Sequence, residues 1–173
     1  MFFNKKAIAT LFATSMVGIT MNASAAPAAE VTLQGIITNT TCDVTVNGGR
    51  ATLNIGVFRA SDFAAANTQQ GSVPLNVTLS NCTADETGNL LIQGVTSTAN
   101  NDKNLFVNVD SDTVGFMIKN ANDVQLAANA PTSLAATEAA PTNYSFQVGM
   151  GSTTTVPAAG AYSAPVVVAY IVN

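Results

Sequence analysis

Residues 29–37 read AEVTLQGII, and this stretch says more about the fold than any other part of the sequence. Successive side chains of a β-strand point to opposite faces, so alternate residues share a face. One face holds Ala29, Val31, Leu33, Gly35 and Ile37, and the other holds Glu30, Thr32, Gln34 and Ile36. Only Ile36 departs from an apolar face opposite a polar one. The pattern predicts a strand that can pair within its own domain, or can leave it and complete the sheet of a neighbouring molecule.

The first 25 residues predict a secretory signal peptide. Lys5 and Lys6 supply the positive start, residues 7–19 form the apolar core, and residues 23–25, Ala-Ser-Ala, are a cleavage site of the A-x-A type. A transmembrane anchor is the alternative, but the apolar run is short and is interrupted by threonine, serine and glycine. We therefore expect an exported protein whose fold begins after residue 25.

Charge and length limit the partners of the mature chain. Without the signal, 148 residues remain, with four basic and ten acidic side chains and a net charge of −6. This length fits one ordinary domain with a substantial core. The negative charge makes nucleic acid and anionic membrane surfaces poor partners.

The sequence contains two cysteines, Cys42 and Cys82, and no histidine. In an exported chain two cysteines most simply form one disulfide. They cannot complete a closed zinc site, and a Ser-His-Asp triad is impossible without histidine. Residues 149–154 lack the last glycine of a nucleotide-binding turn, and Asp110 and Asp112 lack the other oxygens of a calcium loop. We therefore expect no enzyme, no metal site, no cofactor and no small-molecule substrate.

Short runs of valine, isoleucine, leucine, threonine and phenylalanine alternate with polar turns, which is typical of an all-β sandwich or barrel. The predicted strands are residues 29–37, 41–46, 51–56, 73–79, 90–95, 105–109, 113–120, 124–127, 144–150 and 162–172. A short helix is expected within residues 59–69, behind a possible cap at Ser61 and Asp62. The alanine-rich residues 128–141, with two prolines, are expected to form a surface loop.

Three segments together resemble pilin subunits of the chaperone–usher fimbrial family. They are residues 31–42, VTLQGIITNTTC; the strand at residues 73–79 that leads to Asn81 and Cys82; and the C-terminal strand after Gly160. Their order and spacing carry the resemblance. Gly160 is the fourteenth residue from the end, as in the family, whereas the penultimate residue is Val172 instead of the usual aromatic.

The resemblance implies an incomplete immunoglobulin-like Greek-key β-sandwich that lacks its last strand. Residues 26–37 would then be a protruding donor-strand extension, and residues 38–173 the pilin domain. An apolar acceptor groove, which also contacts the chaperone, is implied beside the C-terminal strand. Its expected residues are Gly160, Tyr162, Val166, Val168, Tyr170 and Val172.

The function implied is that of a structural subunit of an adhesive fimbria. A periplasmic chaperone would first lend a strand to the groove, and residues 29–37 of the next subunit would replace it at the outer-membrane usher. The product would be a polymer of pilin subunits on the cell surface. In this scheme Gly35 would meet a shallow part of the groove that excludes any larger side chain. The alternative is that Gly35 forms a bulge in an ordinary strand. The alternative function is a self-contained secreted β-sandwich adhesin that binds a host glycan or protein.

Overall fold

The computed structural model describes residues 35–172. The predicted signal peptide and most of the predicted donor strand, including Ala29, Val31 and Leu33, lie outside the described residues. Within them, no helix is long and apolar enough to cross a membrane.

Seven strands make up the described domain. They are β1 (Asp43–Val46), β2 (Gln70–Ser80), β3 (Glu86–Gly94), β4 (Val114–Lys119), β5 (Thr132–Ala136), β6 (Thr142–Ser152) and β7 (Val166–Val172). One antiparallel sheet has the order β1-β2-β6-β4, and the other has the order β5-β3-β7. The first order is that of strands A, B, E and D of an immunoglobulin domain, and β3 and β7 take the places of C and F. The place of the last strand, G, beside β7 is filled by no residue within 35–172. The predicted incomplete immunoglobulin-like sandwich is therefore confirmed.

The core lies between the inner faces of the two sheets, and strands such as β2 and β3 alternate buried side chains with more exposed ones. On β2 the buried residues are Leu75, Val77 and Leu79, as the sequence pattern predicts. They pack with Leu90, Ile92, Ile118, Phe146, Val148 and Tyr170 from the other strands. Burial of each large aliphatic side chain contributes about 1.5–3 kcal/mol.

Cys42 and Cys82 form the predicted disulfide, which spans 40 positions of the sequence. Cys42 precedes β1 and Cys82 follows β2, and these two strands pair in antiparallel register from Asp43 opposite Ser80. The cross-link therefore joins the ends of two neighbouring strands. By the chain-entropy model, a loop of this length stabilises the fold by roughly 4 kcal/mol.

For two segments, the predicted type of secondary structure is wrong. Residues 128–141 were expected to be a loop but contain β5, because β3 offers a free edge on which Leu90 pairs with Thr132 and Glu86 with Ala136. Residues 59–69 were expected to hold a helix, but only one 3-10 turn forms, at Ala60–Asp62. The side chain of Asp62 accepts a hydrogen bond from the backbone N–H of Arg59 at 2.8 Å, so the cap belongs to this short turn.

Three other predicted strands are shorter or less regular than expected. Residues 105–109 form only bridges through Phe106, which pairs with Thr96 and with Phe116. Residues 124–127 contribute one bridge, between Gln125 and Lys119. Residues 51–56 belong to no ladder of the described sheets. Each segment lies at the margin of a sheet, where the hydrogen-bonding pattern is less complete.

Candidate functional site

One edge of β7 is unpaired among the described residues. Its other edge pairs with β3 from Val166 opposite Gly94 to Val172 opposite Gly88. The exposed fractions of Val166 and Val167 are 36% and 61%. A strand edge with exposed valines and free backbone groups is a template for another strand.

A second segment, residues 50–57, lies across a gap from this edge, and part of it lines the same hollow as Val166 and Val168. The side chains of Leu53 and Ile55 are half-buried against the core, while residues 52, 54 and 56 are exposed. This alternation is that of a strand, although the segment pairs with no described strand. The segment and β7 are therefore two walls without a strand between them.

The gap between these walls is an open groove, here called the β7 groove. It consists of two adjoining hollows with volumes of about 610 and 700 Å³. Both hollows are lined by Leu53, Ile55, Phe116 and Tyr162. Core residues from the first sheet form the floor, among them Leu75, Ile118 and Val148. The groove is thus a place where the interior of the sandwich opens to solvent.

Aromatic side chains shape the end of the groove that is distant from β1. Phe58 and Phe63 line it, with ring centroids 6.4 Å apart in an edge-to-face arrangement. The hydroxyl of Tyr162 donates a hydrogen bond to the carbonyl of Ala158 at 2.7 Å and so holds the ring at the rim. Phe63 is buried, so this end is built on fixed side chains.

The fold agrees with comparisons to known proteins. The model of the family described as "Fimbrial protein" matches residues 31–172. This chain belongs to the fimbrial protein family.

Two solved structures resemble this fimbrial protein in fold. The P pilus rod subunit PapA is 12% identical, with a TM-score of 0.60, and the match covers 78% of this chain and 100% of PapA. A chain from a chaperone–usher pilus, whose structure addresses the uncoiling of the rod, is 16% identical with a TM-score of 0.57. That match covers 84% of this chain and 96% of the other. No curated protein sequence matches the chain at a significant level. At these identities the structural likeness shows the fold alone.

The residues expected to form the acceptor groove fall into two sets. Gly160, Tyr162, Val166 and Val168 line the β7 groove. Tyr170 lies in the core instead, where its hydroxyl donates a hydrogen bond to the carbonyl of Leu134 at 2.9 Å and lies 3.3 Å from the carbonyl of Glu86. Val172 is half-buried and pairs with Gly88 of β3, at the edge of β7 opposite the free one.

Of the expected donor residues, Gly35 and Ile37 are described. Both are exposed, and the exposed fraction of Ile37 is 95%. Residues 35–41 belong to no strand or bridge. A Cβ atom built on Gly35 would meet no atom within 4 Å. Residues 35 and 37 therefore contribute little to the packing of the domain that carries them.

Glu86 anchors the chain where residues 35–41 join the domain. Its Oε1 atom accepts hydrogen bonds from the Thr40 hydroxyl at 2.8 Å, the Thr41 N–H at 3.0 Å and the Thr41 hydroxyl at 3.1 Å. Desolvation raises the pKa of Glu86, but the hydrogen bonds from Thr40, Thr41 and Cys42 outweigh it and hold the pKa below its ordinary value. Burial raises the pKa of Tyr170, and the negative charge of Glu86 raises it further. The carboxylate thus fixes the direction in which the preceding residues leave the domain.

Several groove residues were not identified from the sequence. Leu53 and Ile55 carry a usable signal, since they alternate with polar residues in a predicted strand. The sequence gives no such signal for Phe116, because β4 is apolar on both faces. Ile118 contacts the main core, whereas Met117 packs on Leu105 and Val107 on the other side of the strand. Only the packed structure distinguishes these two faces.

Proposed function

We propose that this fimbrial protein is a structural pilus subunit that polymerises by donor-strand exchange. Residues 29–37 of one copy enter the β7 groove of another and pair with the free edge of β7. The observation that carries the proposal is the position of that edge: it borders an apolar groove at the place of the one strand that the immunoglobulin-like sandwich lacks.

The apolar face of residues 29–37 suits the groove in length and chemistry. Nine extended residues span about 30 Å. The groove is bordered by residues 46–57 on one wall and residues 157–168 on the other, and each of these segments is longer in sequence than the nine-residue donor. Transfer of Ile37 from its exposed position to the groove would contribute about 1.5–3 kcal/mol. Val31 and Leu33 would add similar amounts, and the ladder with β7 would satisfy its free backbone groups.

Before assembly the exposed groove would promote aggregation, so we propose that a periplasmic chaperone covers it and that the outer-membrane usher directs the exchange. The signal peptide at residues 1–25 would provide export to the periplasm, and the fimbria would lie at the cell surface. In this role the protein works by binding other subunits and needs neither enzymatic activity nor a cofactor.

A substitution on the donor face tests the proposal against a matched control on the opposite face. Leu33→Asp places a carboxylate in the apolar groove. It removes about 1.5–3 kcal/mol of burial and adds several kcal/mol of desolvation, so the assembled fraction should fall by at least about 100-fold. Gln34→Asp introduces the same charge on the outward face and should assemble nearly as well as the wild type.

The measurement is the ladder of detergent-resistant oligomers in unboiled samples of the full-length protein, together with electron microscopy of shed fibres. Normal fibres from the Leu33→Asp variant would refute donor-strand exchange through this segment. A wild-type protein that folds alone and stays monomeric would favour the alternative, a self-contained secreted adhesin that binds a glycan or protein.

A further inference from the structure

Arg50 is the only residue with a charged side chain among the described residues that line the β7 groove. It lies at the end of the groove next to β1, which is also lined by Val46, Val166 and Val168. Arg50 is exposed, and it forms no ion pair with any residue within 35–172. Its cation is therefore available at one rim of an otherwise uncharged surface.

The backbone holds Arg50 at this rim. Its N–H donates a hydrogen bond to the carbonyl of Asn47 at 3.4 Å, which closes the 3-10 turn Asn47–Gly49. The side-chain oxygen of Asn47 accepts a hydrogen bond from the N–H of Asn76 on β2 at 3.3 Å. The turn is thus tied to the first sheet, and the position of Arg50 relative to the groove is fixed by two contacts.

The proposed donor segment carries a matching charge. Glu30 is the only charged residue within positions 26–41, and it lies on the face opposite Val31 and Leu33. When the apolar face enters the groove, Glu30 remains on the outer side near the beginning of the strand. Outward side chains of neighbouring strands have Cβ atoms about 4.5–5.5 Å apart, within reach of a glutamate and an arginine.

We infer that Glu30 of an incoming copy pairs with Arg50 of the receiving copy, and that this pair selects the register of the donor strand and accelerates its capture. The inference rests on the proposed function and deepens it, because it names the polar contact that accompanies the apolar one. With Glu30 beside Arg50, the donor strand begins at the Val168 end of the groove. Ile37 then lies toward the aromatic end, so the donor strand runs antiparallel to β7.

Other placements lose this contact. A slip by two residues keeps the apolar face inward but moves Glu30 by about 6.6 Å along the groove. The reverse direction brings Glu30 to the aromatic end, where none of the described residues that line the groove carries a charge. Arg50 therefore favours one register and one direction of the donor strand, which the apolar side chains alone do not distinguish.

A charge-reversal cycle tests the pair. Full-length subunit in complex with its periplasmic chaperone is mixed with a synthetic peptide of residues 26–41, and formation of the detergent-resistant complex is followed with time. At low salt, Arg50→Glu with the wild-type peptide, and the wild-type subunit with a Glu30→Arg peptide, should each react about two- to five-fold more slowly. The combination of both reversals should recover most of the wild-type rate. In about 0.5 M NaCl, where the Debye length is roughly 4 Å, the differences should nearly vanish.

The matched control is Arg59→Glu, which changes the net charge equally at the opposite end of the groove. Its rate should equal that of the wild type. The inference is overturned if Arg50→Glu reacts at the wild-type rate, if the double reversal is slower than either single reversal, or if Arg59→Glu produces the slow phase instead. A different result would indicate failure of the proposed function itself: no capture of the wild-type peptide, or equal capture of a Leu33→Asp peptide.

Discussion

Substitution of Gly35 separates the stability of the domain from its assembly. In the described domain Gly35 is exposed, and an added Cβ would meet no atom within 4 Å. Gly35→Val should therefore leave the free energy of unfolding unchanged within about 0.5 kcal/mol. The same substitution changes the apolar face of the donor strand, because Gly35 lies between Leu33 and Ile37 on that face.

The cost of Gly35→Val should appear only when the strand enters the β7 groove. The floor of the groove contains packed core residues such as Val114, Ile118 and Val148, which are almost fully buried and have little room to move. Overpacking of this kind costs about 1–3 kcal/mol, which corresponds to a loss of about 5- to 150-fold in the assembled fraction. Gly35→Ala should give a smaller loss, so the effect should grow with side-chain volume.

The assay compares full-length Gly35→Ala, Gly35→Val and Gln34→Val proteins. Urea unfolding measures the stability of each subunit, and the yield of detergent-resistant oligomers measures assembly. Gln34→Val places a similar side chain on the outward face and should assemble normally. Assembly of Gly35→Val at the wild-type level, or an equal loss in Gln34→Val, would show that Gly35 does not face the floor of the groove.

Two further predictions concern the region where residues 35–41 join the domain. The pKa of Glu86 is lower in the folded protein than its ordinary value of 4.5, so its contribution to stability is present above that pH and is lost as the pH falls through the folded pKa. The urea midpoint of the wild type should therefore decrease more steeply on acidification below about pH 5 than that of Glu86→Gln, and parallel pH profiles would contradict the role given to this carboxylate. Replacement of both Cys42 and Cys82 by serine should lower the free energy of unfolding by about 2–4 kcal/mol in urea titrations under oxidising conditions, and an unchanged midpoint would argue against a structural disulfide.

The strands with a clear two-residue period were predictable from the sequence. Leu75, Val77 and Leu79 alternate with polar residues, and the structure buries all three on β2. The disulfide was predictable because an exported chain with two cysteines has one simple pairing. The incomplete sandwich followed from the resemblance in the order of segments, not from periodicity alone.

The missed features depend on contacts between distant segments. β5 is rich in alanine and serine and has no pattern of its own, and it forms because it can pair with the edge of β3. Phe106 lies in a predicted strand but forms only bridges, because it connects the Thr96 region with β4. The positions of Tyr170 in the core and of Val168 in the groove differ although both residues lie on one strand with the same parity. The register of β7 and the position where the groove ends decide whether a residue lies in the core or in the groove. A local sequence pattern specifies neither.

The most direct test of the central claim is a cryo-electron microscopy structure of the assembled fibre at a resolution that identifies side chains. We expect residues 29–37 of each subunit to lie in the β7 groove of a different subunit, where the beginning of the donor strand pairs with the free edge of β7 and Leu33 and Gly35 face the floor of the groove. A fibre in which residues 29–37 pair within their own subunit, or in which the β7 groove is empty and other surfaces hold the subunits together, would contradict it.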